Sequence, residues 1–236
     1  MKILALDSSG NVASAAIVED DKLLIEFTMN YKKTHSQTLL PIISDICKKV
    51  ELDLESIDYI ATASGPGSFT GLRIGVATAK GLAYGLNKPI IGVPTLDGLA
   101  YNITYTNYLI CPIMDARRNQ VYTAFYLWEK DNLKRESDYL AVSIDECIDL
   151  AKGYNRPVIF LGDGVLVYKE VIKEKMTSDE VFFAPQSCNM QRASSIGSLA
   201  MILAKEGKFE DSMEFSPFYL RKSQAEREYE NKRNKK

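Results

Sequence analysis

Short apolar blocks separated by polar turns open the chain. Ile3 to Leu6, Val12 to Val18 and Leu23 to Thr28 are rich in aliphatic and β-branched residues, and Ser8-Ser9-Gly10-Asn11 and Glu19-Asp20-Asp21-Lys22 divide them. This punctuation predicts three antiparallel strands. The period then lengthens: Leu39, Ile43, Ile46 or Cys47, and Val50 recur at helical spacing behind a cap at Thr34 or Ser36, with Pro41 early enough to be tolerated. Tyr59 to Ala63 reads as a buried strand, Gly71 to Leu86 as a helix, Ile90 to Val93 as a strand and Leu96 to Tyr101 as a helix.

From Tyr108 the order begins again. Strands to Met114, over Val121 to Trp128 and near Tyr139 to Val142 precede a helix from Ser143 or Asp145 to Lys152. Strand Val158 to Leu161, a helix near Tyr168 to Lys175, strand Val181 to Phe183 and helix Ser194 to Lys205 follow. Each half reads βββαβαβα, and matching stations support a duplication. Asp7 and Asp115 end equivalent strands, Asn11 and Asn119 open the next, and Gly65-Pro66-Gly67 answers Gly162-Asp163-Gly164. Such a doubled unit is the ribonuclease H-like architecture of actin-like and Hsp70-like ATPases, an α/β fold with a cleft between its halves. The predicted division is an N-terminal half over 1–106, a C-terminal half over 107–215 and a basic tail over 216–236. Two unrelated α/β domains are the plainer alternative.

Composition narrows the function. With 29 basic and 31 acidic residues in 236 the net charge is −2, which excludes an obligate polyanion binder, and 46 % hydrophobic residues exclude a disordered chain. The tail from Pro217 carries seven bases against three acids, a solvated end or a contact for a polyanion such as RNA. Cys47, Cys111, Cys147 and Cys188 lie far apart without a C-x-x-C pair, which fits reduced thiols in the cytoplasm. Four apolar residues before Asp7 are too few for a signal peptide, and no run approaches a membrane span, so a cytoplasmic location and no membrane partner are expected.

Six of fourteen glycines fall within SGPGSFTGLRIGVATAKGLAYG. The spacing matches neither a dinucleotide fingerprint nor a P-loop. Gly65, Gly67 and Ser68 nevertheless precede a helix N-terminus, and Arg73 puts a cation in a turn where the helix dipole disfavours one unless an anion answers it. Ser8, Ser9, Arg117 and Arg118, on the two strand-end turns, complete the candidate anion-binding set. Gly71-x-x-x-Gly75 and Gly81-x-x-x-Gly85 let another helix approach closely. His35 is the single histidine, so a two-histidine metal site cannot form within one chain, and no G-x-S-x-G elbow accompanies it.

ILALDSSGNVASAAI, His35-Ser36 with Leu39-Leu40-Pro41, SGPGSFTGLRIGVATAKGLA, PTLDGLA and MDARRNQVYTAFY closely resemble the TsaB (YeaZ) family. The likeness is dense in the first half, thins after Tyr126 and returns in SPFYLRKSQAE. It implies a non-catalytic dimerisation and scaffolding subunit for N6-threonylcarbamoyladenosine formation at position 37 of tRNA, working with a catalytic TsaD-type homologue and a TsaE-type ATPase. It also implies contact with tRNA through the complex, no cofactor in the isolated chain, and ATP or ADP only at a complex junction. In the catalytic relatives two histidines one helical turn apart hold a metal, whereas here Leu39 follows His35, so no metal site is expected. The enzyme alternatives are a metal-dependent glycoprotease-like peptidase and an actin-like ATPase. His35, Leu39, Ile43, Ile46, Leu72, Gly75, Val76 and Ala79 are expected to face the partner's equivalent helices, and to pair as a homodimer when the chain is alone.

Overall fold

The computed structural model describes residues 1–31 and 34–221; most of the basic tail lies outside the described residues. Strands β1 (Lys2–Asp7), β2 (Ala13–Glu19) and β3 (Lys22–Met29) form an antiparallel meander, and β4 (Tyr59–Gly65) and β5 (Ile90–Pro94) join β1 in parallel. The order is β3-β2-β1-β4-β5. Helices α1 (His35–Lys49) and α2 (Phe69–Leu86) bury Leu39, Ile43, Ile46, Val76 and Ala79 against Leu4, Leu6, Ala15 and Ile60 on one face.

The second sheet repeats this order with β6 (Leu109–Asp115), β7 (Gln120–Thr123), β10 (Leu140–Ser143), β11 (Val158–Leu161) and β12 (Val181–Phe183), arranged β10-β7-β6-β11-β12. Helices α4 (Ile144–Lys152) and α5 (Gly164–Lys175) cover it. This is the duplicated ribonuclease H-like fold that the sequence predicts.

One predicted strand, Val121 to Trp128, is two. The chain leaves the ladder at Ala124-Phe125, where the Phe125 N–H goes to Ser137 Oγ at 3.0 Å and its carbonyl accepts the Glu136 N–H at 2.7 Å. It then forms a hairpin of β8 (Tyr126–Glu129) and β9 (Asn132–Arg135) before returning to β10. Strand β9 alternates polar residues over an exposed surface, so no apolar period announces it.

The remaining helices cross between the sheets. Helix α3 (Thr95–Ala100), which follows β5, packs Leu96, Leu99 and Ala100 against Ile110, Met114, Tyr126 and Leu161 of the second half. Helix α6 (Ala193–Lys205), which follows β12, packs Ile196, Ala200 and Met201 against Ile3, Ala5, Val18 and Val93 of the first. Arg192 grips Glu26 on β3 with two hydrogen bonds, of 2.6 and 3.1 Å, and Glu26 also accepts the Ser194 N–H at 2.9 Å, supplying the acceptor that the start of α6 lacks. Each sheet is therefore finished by the other half's last helix.

Candidate functional site

The glycine-rich turn is built for contact within the chain. Ser68 caps α2, its hydroxyl accepting the Gly71 N–H at 3.3 Å, so the helix starts two residues before the predicted Gly71. The Ser68 N–H itself goes to the Ser9 carbonyl at 2.7 Å, and the Gly65 N–H to Thr95 Oγ1 at 3.2 Å. A methyl on Gly71 would collide with the Ser8 carbonyl, and one on Gly75 with Ser8 Oγ. These two glycines let the β1–β2 turn lie on the helix. The Ser8 hydroxyl donates to the Gly71 carbonyl at 2.9 Å, and the Ser9 hydroxyl to Asp7 Oδ1 at 2.6 Å.

The candidate anion-binding set consequently does not assemble as one cradle. Donors of Ser8, Ser9, Gly65 and Ser68 are engaged internally, and Gly67 presses on the Ser9 carbonyl. Arg73 lies over the Phe69 ring at 4.0 Å, so a π face and solvent answer its charge. Arg117 lines the opposite side of the cleft, and both it and Arg118 are exposed on the β6–β7 turn.

The cleft between the halves encloses about 580 Å³. Ser9, Asn11 and Pro66 line its first side, and Asp115, Arg117 and Asp163 its second. Asp163 joins the two sides: its carboxylate accepts the Asp115 N–H at 3.1 Å and the Asn11 amide at 3.5 Å. Burial pushes its pKa up to about 6, an effect that the Asp115 N–H opposes and the Asp115 charge assists. Asp7 is pushed up to about 6 by burial against the two bonds from Ser9. Asp163 is not among the sequence candidates. Its signal was an acid between two glycines at a strand-to-helix turn, legible as a repeat station without its partners.

The predicted partner stripe faces inward. Leu39 is 1 % exposed, Ile46 and Ala79 are 0 % exposed, and Ile43, Leu72, Gly75 and Val76 are buried as well. The 3.6 period marks the side on which a helix buries itself, and here the sheet already covers that side. The outward stripes are Leu40, Pro41 and Ser44 on α1, and Ala77, Gly81, Tyr84 and Gly85 on α2. Both helices cover one sheet face, so these stripes look the same way. A methyl on Gly81 or Gly85 would meet open space. His35 is half-buried, and its Nε2–H donates to the Gly10 carbonyl at 2.9 Å. That bond fixes the tautomer, because a carbonyl can only accept.

The model of the family described as TsaD, tRNA N6-adenosine threonylcarbamoyltransferase, matches residues 22–229. The tRNA threonylcarbamoyladenosine biosynthesis protein TsaB of Bacillus subtilis is 33 % identical over 96 % of this chain and 96 % of its own length. The chain belongs to the TsaB family. Among solved structures, YeaZ from Pseudomonas aeruginosa superposes with a TM-score of 0.77 at 24 % identity, covering 93 % of this chain and 99 % of that one. The activator of 2-hydroxyisocaproyl-CoA dehydratase from Clostridium difficile, with bound ADPNP, reaches 0.50 at 13 % identity over 88 % of this chain and 97 % of that one, a likeness of fold. In this TsaB-family chain the turns that bound the cleft carry Ser8-Ser9 on one side and Arg117-Arg118 on the other. Among the described residues no group of three or more His, Cys, Asp or Glu is placed to hold a metal, and no helix is long and apolar enough to cross a membrane.

Proposed function

We propose that this TsaB-family chain is a non-catalytic cytoplasmic subunit for N6-threonylcarbamoyladenosine formation in tRNA, scaffolding a TsaD-type catalytic subunit that works with a TsaE-type ATPase. The whole-length match to TsaB of Bacillus subtilis is the observation that carries the reading. The chemistry of the donor set supports it. His35 is the single histidine, and the position one turn on is Leu39, inside the core, so the residues present do not fit a helical two-histidine metal site. The α2 N-terminus spends its Ser68 amide on Ser9, which argues for a nucleotide only at a junction with the partner.

The corrected α1–α2 face is the contact we assign to the partner, and to a second copy when the chain is alone. Leu40 is 55 % exposed and Tyr84 72 %, beside the small Ala77, Gly81 and Gly85. The test is co-elution with a TsaD-type protein on a sizing column, together with tRNA modification by the reconstituted set. Gly81→Arg, at a site with open space, keeps the fold and abolishes co-elution and modification. Turnover of ATP or peptide by the chain alone, lost on His35→Ala, would refute the reading.

A further inference from the structure

The arginines that do not form a cradle do form a band. Arg73 lies over Phe69, whose ring centroid is 4.8 Å from that of Tyr219. Two residues on, Arg221 Nη1 donates to the Ala116 carbonyl at 3.2 Å, and Arg117 and Arg118 follow Ala116 on the β6–β7 turn. Phe69, Tyr219, Arg221 and Arg117 thus line the cleft, with Arg73 on Phe69 at one end and Arg118 next to Arg117 in the chain at the other. Arg73, Arg117 and Arg118 are exposed, and none of the four arginines makes a salt bridge among the described residues.

The turn is also held firmly. Arg117, Arg118 and Asn119 take left-handed φ angles of 60°, 55° and 59° in succession, a conformation that L residues avoid. Bonds from the Arg117 N–H to Asp115 Oδ1 at 2.9 Å and from the Ala116 N–H to the Gln120 carbonyl at 2.9 Å keep it in place. Beyond Arg221 the sequence adds six more bases against three acids, in a molecule whose net charge is −2. Among the described residues, Arg221 meets the β6–β7 turn that carries Arg117 and Arg118.

We propose that this band binds the sugar–phosphate backbone of RNA directly, the arginines taking phosphates and the Phe69–Tyr219 pair offering a face for an unstacked base. With the functional reading above, on which this inference rests, the RNA is the tRNA substrate. The acids Asp115 and Asp163 line the cleft, so phosphate sits at the mouth and not within.

The test is fluorescence anisotropy of labelled, unmodified tRNA titrated with the full-length chain alone between 50 and 300 mM KCl. Wild type is compared with Arg117→Gln/Arg118→Gln, with Arg221→Gln, and with Lys48→Gln/Lys49→Gln at the far end of α1, which removes equal charge. The band predicts salt-dependent binding, a loss of roughly tenfold at 150 mM KCl for the Arg117/Arg118 pair, a salt slope shallower by about one to two units, and a smaller loss in the same direction for Arg221→Gln. The lysine pair stays within about twofold. No salt-dependent binding by wild type, or equal losses in the arginine and lysine pairs, would overturn the proposal. So would competition by poly-glutamate as effective as by poly-uridine, which would make the occupant an acidic protein. Failure of the subunit reading appears elsewhere, in the co-elution experiment, which these arginines do not enter.

Discussion

Ser68 donates its backbone N–H to the Ser9 carbonyl at 2.7 Å, joining the start of α2 to the β1–β2 turn across a contact that only glycine neighbours permit. The same loop-to-helix geometry that cradles phosphate elsewhere is here closed by the chain's own carbonyl. Gly71→Ala should therefore destabilise the protein by about 2 kcal/mol or more, because the added methyl meets the Ser8 backbone, which cannot yield as a flexible side chain does. Gly81→Ala should stabilise it by about 0.5–1 kcal/mol, since that helical site is open. Urea titrations of the two variants check the contrast, and equal effects would show that the turn does not press on the helix.

Glu26 is the anchor of α6. It takes two bonds from Arg192 and, through its other oxygen, the Ser194 N–H at 2.9 Å and hydroxyl at 2.7 Å. Glu26→Ala is expected to cost about 2–3 kcal/mol, since it strands the Ser194 amide and a half-buried guanidinium. Glu26→Gln, which can still accept from Ser194, should cost about half as much. Chemical denaturation of both variants measures the difference.

The strand order of each half was legible because its strands are apolar blocks between turn residues, and the repeat was legible because Asp7 and Asp115 end matching strands. Three features were not. The β8–β9 hairpin turns through Lys130 at a φ of 56°, a residue that carries none of the Gly or Asn signal of a tight turn. The exchange of α3 and α6 between sheets is tertiary: Leu96 and Ile196 show that a helix buries a face, not which sheet receives it. The stripe Leu39, Ile43, Ile46 likewise reads the same whether its cover is the chain's own sheet or a partner.

The cleft should make stability depend on pH. Asp163 titrates near 6 in the folded chain and near its ordinary value, about 3.9, when unfolded, so the folded state holds the proton more tightly. Its contribution to stability is complete below about pH 4 and is lost as pH rises through 6. Asp163→Asn removes the titration while its amide oxygen still accepts the Asp115 N–H. Relative to wild type the variant should gain on the order of 2 kcal/mol between pH 4.5 and 7.5. A wild-type minus variant difference that stays flat over that window would mean that burial does not hold the proton there.

Restoring a histidine one turn after His35 should not restore a metal site. Leu39 lies in the core with Leu6, Ala13 and Val76, so Leu39→His buries an imidazole where no polar partner waits and removes an aliphatic side chain, a loss of about 3 kcal/mol. His35 holds its Nε2–H on the Gly10 carbonyl, which leaves Nδ1 as its metal-binding nitrogen, so the obstacle is residue 39, which a first-row metal would have to pull out from under the sheet. Thermal melts with and without zinc decide the point. The melting temperature should fall by several degrees and stay there when the metal is added. A zinc-dependent recovery would mean that α1 can turn its inner face toward the cleft, and that the loss of one ligand alone separates this chain from a metal-binding relative.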